Sequence, residues 1–139
     1  MKGKTISEIQ IGDFAEHSKT VSEADVYLFA GVTGDFNPAH TNAQEAAKTM
    51  FKERIAHGML SAGFISAAIG MQLPGPGAIY LSQTLKFVAP VKFGDTVTAR
   101  AEVIERNVER NRITLKTTCI NQDGKPVVEG EAVIMPPKA

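Results

Sequence analysis

His57-Gly58-Met59-Leu60-Ser61-Ala62-Gly63-Phe64-Ile65-Ser66-Ala67-Ala68-Ile69-Gly70-Met71 decides the fold of this chain. Apolar or small residues fall on every side of the helix that this stretch, extended to Leu73, predicts. A helix apolar all round is normally buried, and this one lacks the length and purity of a membrane span. Gly58, Ala62, Gly63 and Ser66 are small, so a sheet or a ligand can approach closely. From about Gly58 and Met59, free backbone N–H groups point out of the helix start, and such groups can hold a developing oxyanion. An ordinary buried helix with helix-weakening glycines accounts for the same residues without any chemistry. Pro74-Gly75-Pro76-Gly77 ends the helix as a turn, and its spacing is not that of a nucleotide loop.

A buried helix needs strands around it, and the residues after Gly77 supply them. Ile79, Leu81, Leu85 and Phe87 share one strand face, and Ser82, Thr84 and Lys86 share the other. Pro90 and Phe93-Gly94-Asp95 break the run. Val97, Ala99, Ala101 and Val103 alternate with polar residues, as do Ile113, Leu115, Thr117 and Cys119. Asn121-Gln122-Asp123-Gly124 is a hairpin signal, and Val128, Ala132 and Ile134 mark a last strand. Four long strands with short connections predict an antiparallel meander. Only the helix after Gly58 is apolar enough to cover one face. The fold class is therefore α+β, an antiparallel sheet wrapped around a central buried helix, in one domain over residues 1–139.

The first half of the chain adds smaller elements. Thr5 to Ile11 forms a lead-in that docks through Ile6, Ile9 and Ile11. Phe14 to Thr20 predicts a short strand, with His17 at its surface or edge. Ser22 is a good N-cap, and Glu23 and Asp25 suit the positive end of a helix dipole. That helix ends near Gly31 to Gly34. Asn42 followed by Glu45 predicts a second, short helix through Ala43 to Thr49.

Gly34-Asp35-Phe36-Asn37-Pro38-Ala39-His40 lies between the two. It sets an acid and an imidazole five residues apart. Helical geometry does not align that spacing, and an extended chain holds the pair roughly 17 Å apart. Pro38 disfavours a continuing helix at Asn37, and Asn37-Pro38 signals a turn. A tight reversal aims Asp35 and His40 at one small volume, where they can hold a water and exchange protons with it. The alternative is that Asp35 and Asn37 cap turns through their own backbone and His40 sits in a polar loop.

Composition excludes several functions. Lysine plus arginine balances aspartate plus glutamate at 15 each, with no charge block, so neither nucleic acid nor an anionic membrane is indicated. No stretch is long and apolar enough to span a membrane, and Met1 to Gln10 lacks an apolar signal core. One cysteine allows no internal disulfide and fits a reducing, cytoplasmic setting. Three histidines and one cysteine give no zinc spacing, so no metal is expected. Cys119 falls on the apolar side of its strand, as a buried inert thiol does.

Tyr27-Leu28-Phe29-Ala30-Gly31-Val32-Thr33-Gly34-Asp35-Phe36-Asn37-Pro38-Ala39-His40, followed by Ala46, resembles the hydratase motif of MaoC-like dehydratases, whose nearest members are the (R)-specific enoyl-CoA hydratases. Ile55-Ala56-His57-Gly58-Met59-Leu60 and then Leu73-Pro74-Gly75 with Ile79-Tyr80-Leu81 match the same family in order. The resemblance covers essentially the whole chain. It implies the hot-dog fold and reversible addition of water to a trans-2-enoyl thioester, giving the (R)-3-hydroxyacyl product. Asp35 and His40 match the family's catalytic pair. By the same analogy the N–H of Gly58 is the oxyanion donor, Asn37 holds the turn and can also hold the water, and Ser66 stands near the pair. Hydration needs no cofactor. The expected partners are an acyl-CoA or acyl-carrier-protein thioester and a second copy of the chain. Ile69, bulky among Ala67, Ala68 and Gly70, is a candidate floor for the acyl pocket, unless it simply packs against the sheet. A hot-dog acyl-CoA thioesterase and a non-catalytic acyl-CoA or acyl-carrier-protein binding module are the rival functions.

Overall fold

Six strands and four helices make up the computed structural model, which describes residues 1–139. In chain order they are β1 (Phe14–Thr20), α1 (Glu23–Thr33), α2 (Pro38–Thr41), α3 (Ala43–Ala46), α4 (Gly58–Met71), β2 (Ile79–Gln83), β3 (Lys86–Phe87), β4 (Thr96–Asn107), β5 (Arg112–Ile120) and β6 (Pro126–Met135). The lead-in docks through Ile9, which is fully buried, and partly through Ile6. Ile11 instead faces solvent.

The caps of α1 are those the sequence predicts. Ser22 Oγ accepts from the Asp25 N–H at 3.1 Å, and Asp25 Oδ2 accepts from the Ser22 N–H at 2.9 Å. Such a box satisfies two N–H groups that the helix cannot. The Ser22 N–H also holds the Asp25 carboxyl below its ordinary range. Gly34 ends α1 at φ +86°, where a side chain would be strained, and donates to the Ala30 carbonyl at 2.8 Å. The helix expected over Ala43 to Thr49 is only the single turn of α3. The Thr49 hydroxyl donates to the Ala46 carbonyl at 2.7 Å, and the chain turns away there.

All strands belong to one antiparallel sheet in the order β1-β4-β5-β6-β2, with β3 also paired to β6. The meander therefore holds for β4, β5 and β6 and fails for the strand predicted from Ile79 to Phe87. That strand cannot flank β4, because β1 already occupies β4's free edge from Phe14↔Glu102 to Thr20↔Thr96. It crosses to β6 instead and breaks into β2 and β3 around Thr84. At the break Thr84 Oγ1 accepts from the Glu131 N–H at 3.0 Å, and the Thr84 carbonyl lies so close to Gly130 that a Cβ there would come within 1.9 Å of it.

The core lies between α4 and the sheet. Phe64, Ile65, Ala68 and Ile69 of α4 face Val97, Ala99, Ala101 and Val103 of β4, Ile113, Leu115 and Cys119 of β5, and Ala132 and Ile134 of β6. Fully burying each large aliphatic side chain contributes roughly 1.5–3 kcal/mol. The alanines of β4 leave room for the helix. Two expectations about burial need correction. α4 is not covered all round, because Gly58, Met59, Gly63, Ser66, Gly70 and Met71 line an exposed side. The expected inner face of the Ile79–Phe87 run is also largely open, with Ile79 53%, Leu81 43% and Phe87 51% exposed, although Leu85 packs against the core and Phe87 touches Gly58.

Candidate active site

The turn after α1 is built by short side chains. Asp35 Oδ1 accepts from the Asn37 N–H at 3.2 Å, and Asn37 Oδ1 accepts from the Ala39 N–H at 3.0 Å as the N-cap of α2. Pro38 takes the first helical position, where a missing N–H costs nothing. Asn37-Pro38 is thus a helix start, and the single turn it opens swings His40 back toward Asp35. The Asn37 side chain thus caps the turn of α2.

His40 Nδ1 lies 2.6 Å from the Ile55 carbonyl. A carbonyl only accepts, so Nδ1 carries the proton, and Nε2 is the nitrogen left to face the site. His57 is the N-cap residue of α4 and is 2% exposed. Its Nε2 is 2.8 Å from the Asp35 carbonyl and therefore donates to it. Its Nδ1 is buried with no partner. The two imidazoles stack at 3.8 Å between centroids, tilted by 31°, and the Phe29 ring of α1 packs on His57 at 4.8 Å. Asp35 Oδ2 is 4.0 Å from His57 Nε2, and one ligand atom from each of Asp35, His40 and His57 lies within 4.8 Å of the others. Asp35 itself is half exposed, so solvent and substrate reach the carboxylate.

Sequence reading brought Asp35 and His40 to one volume and missed His57. The signal was there: a polar residue opening an otherwise apolar helix is buried by that helix, and a buried imidazole needs a partner. As hydrogen-bonded, the trio leaves the Asp35 carboxylate and His40 Nε2 without a partner, and a third lone pair, on His57 Nδ1, unpaired but buried.

Gly58 begins α4 one residue after His57, so its N–H lacks an intrahelical acceptor. The Phe87 ring lies on it: a Cβ at Gly58 would sit 2.6 Å from the ring carbon Cδ1. Beside this contact opens an apolar cavity of about 440 Å³, walled by Gly58, Met59, Ser61, Phe87, Val88 and Val128 among others. Ser66 lies on the exposed side of α4, about two turns beyond Gly58. Ile69 is 1% exposed, on the face that runs from Ser61 through Ile65, and is no wall of this cavity. Cys119 is fully buried, donates to the Ser61 carbonyl at 3.6 Å, and has its pKa pushed up to about 12 by burial. It is no nucleophile.

The model of the MaoC-like domain matches residues 7–124. The chain is 57% identical over 130 residues to an (R)-specific enoyl-CoA hydratase of Rhodospirillum rubrum, covering 94% of this chain and 90% of that protein. It is 47% identical over 131 residues to a 3-hydroxybutyryl-CoA dehydratase of Methylorubrum extorquens, covering 94% and 83%. An unliganded R-hydratase from Pseudomonas aeruginosa superposes with a TM-score of 0.93 at 51% identity, over 99% of this chain and 88% of that one. The hot-dog arrangement of sheet and helix is shared along nearly the whole length, and the chain belongs to the MaoC-like domain family.

Proposed function

We propose that this chain is an (R)-specific enoyl-CoA hydratase, adding water reversibly to a trans-2-enoyl-CoA to give the (R)-3-hydroxyacyl-CoA. One observation carries the proposal: Asp35 and His40 lie together against His57, the residue before Gly58, and an apolar cavity whose walls include neither of the pair opens at Gly58 itself. A water held by Asp35 and His40 attacks C3. One of the pair takes a proton from it, and the other delivers a proton to C2. The π electrons move toward the thioester oxygen, where the Gly58 N–H and the positive end of α4 hold the enolate-like charge. Asn37 keeps the turn in place, and Ser66 is a substrate-side position on the open side of α4. The walls around Gly58 suit an acyl chain. CoA is the preferred carrier because the relatives above are named for CoA thioesters.

Crotonyl-CoA tests this directly. Loss of enoyl absorbance with (R)-3-hydroxybutyryl-CoA as product is expected. Release of free thiol would make the chain a thioesterase instead, and binding without turnover would make it a binding module.

The reading includes a homodimer. β2 is an open edge on which Ile79 and Leu81 stand exposed, and half-exposed Phe87 lies against Gly58 at the start of α4. Edge-to-edge pairing of two copies along β2 extends the sheet and covers these residues. Sedimentation at working concentration should give a dimer. An active monomer at nanomolar concentration would contradict it. A cytoplasmic setting suits one buried thiol, and no helix is long and apolar enough to cross a membrane.

A further inference from the structure

We propose that His57 is a positioning residue for the catalytic pair, acting through the hydrogen bond from its Nε2–H to the Asp35 carbonyl. The proposal rests on the hydratase reading for its kinetic test. The segment Gly34 to Pro38 is exposed at every residue, so little packing holds it. Its other hydrogen bonds all stay within five residues, among them Thr33 Oγ1 with the Asp35 N–H at 3.2 Å and Asp35 Oδ1 with the Asn37 N–H at 3.2 Å. The His57 bond at 2.8 Å instead ties the turn to α4. His57 immediately precedes Gly58, so one residue links the carboxylate to the N–H assigned to the thioester oxygen. His40 is referred to the same segment through Ile55. The carboxylate, the imidazole and the oxyanion donor thus share one reference, residues 55–58. The His57 ring also packs against His40 at 3.8 Å, tilted by 31°, limiting how that ring can tip.

The unpartnered Nδ1 argues that His57 is not there for stability. A phenyl ring would fill the same space against Phe29 and His40 without burying an unpaired nitrogen. A purely structural site would do better with phenylalanine. What phenylalanine lacks is the Nε2–H.

Three variants separate the roles. Glutamine places an amide N–H near the position of Nε2, asparagine reaches only the position of Nδ1, and phenylalanine keeps the ring alone. His57→Phe is expected to keep or raise the melting temperature while kcat on crotonyl-CoA falls about tenfold or more, with KM little changed, as a displaced catalytic group predicts. His57→Asn should lose turnover similarly, and His57→Gln should recover most of it. Near-native kcat in His57→Phe, equal losses in the glutamine and asparagine variants, or loss of the fold in all three would overturn the proposal. Nitrogen-15 histidine spectra of the native protein need no turnover. They should show the proton on Nε2 of His57 and on Nδ1 of His40, and a proton on Nδ1 alone of His57 would overturn the proposal even if crotonyl-CoA proves not to be a substrate.

Discussion

His40 Nδ1 donates to the backbone carbonyl of Ile55 at 2.6 Å, and this bond decides which nitrogen of the imidazole can work. Nε2 is left without a partner, and the nearby Asp35 carboxylate is fixed on one oxygen by the Asn37 N–H and open on the other. A turn of seven residues, Gly34 to His40, would not hold this geometry alone. It is held because both ends are bonded to the segment leading into α4.

Asp35→Asn and His40→Gln should each lower hydratase turnover by at least about a hundredfold with little loss of fold, since general acid–base contributions are typically ~10²–10⁴-fold. Both side chains are at least partly exposed and carry no part of the buried core. Steady-state assays on crotonyl-CoA, with circular dichroism as the fold control, check this. A folded variant with near-native rates would remove that residue from the mechanism.

Gly58→Ala should hurt activity more than stability. The new Cβ would lie 2.6 and 2.7 Å from two carbons of the Phe87 ring, too close to stand. Phe87 is half exposed, so its ring can swing aside, and it must then move within the cavity mouth. We expect kcat/KM to fall about tenfold or more, and Phe87→Ala to rescue part of the loss when combined with it. Additive losses in the double variant would mean that the two residues do not share the site.

The sequence made legible what local rules control. The α1 caps, the alternation of β4 and β5 and the convergence of Asp35 with His40 all follow from neighbours in the chain. Two things escaped for physical reasons. Period two shows that Ile79, Leu81 and Phe87 share a face but not what covers it, and β1 had already claimed the edge of β4 on which a simple meander depends. By pattern His57 is simply the first residue of a hydrophobic helix, although its partner lies 22 residues earlier, in the Asp35 turn. A long-range hydrogen bond to a backbone carbonyl leaves almost no trace in residue type.

Cys119 should resist thiol reagents at pH 8 until the protein is unfolded by urea. Burial pushes the thiol up to about 12 in the fold, against about 8.5 for an exposed cysteine. The sign for stability follows from the same difference. Below about pH 8.5 neither state ionises and the group has no effect. Above it the unfolded chain loses the proton first, so stability falls as pH rises toward 12, by up to about 1.4 kcal/mol per pH unit. Cys119→Ala should flatten this alkaline limb in urea melts, whatever it does to stability at neutral pH. Fast labelling of the folded protein would show that the strand opens readily.

Chain-length choice is the last test, and it turns on Ile69. The cavity begins at Gly58, and the α4 face carrying Ser61 continues one turn at a time through Ile65 to Ile69. Ile69 lies eleven residues from Gly58, roughly 16 Å along the helix, and walls no part of the cavity, so it can act as a floor only if the acyl chain enters the packed space between α4 and the sheet. We expect Ile69→Ala to raise turnover of longer enoyl-CoAs relative to crotonyl-CoA. Ile69 is 1% exposed in the core, so the same change should cost ~2–5 kcal/mol. Ile69→Val, at ~0.5–1.5 kcal/mol, gives a folded control in which a smaller shift should appear. The measurement is the ratio of turnover on octenoyl-CoA to that on crotonyl-CoA, with urea melts alongside. An unchanged ratio in both folded variants would place the floor in the cavity wall itself. Val88→Ala, which widens that wall at a half-exposed position, would then be the variant that shifts the ratio.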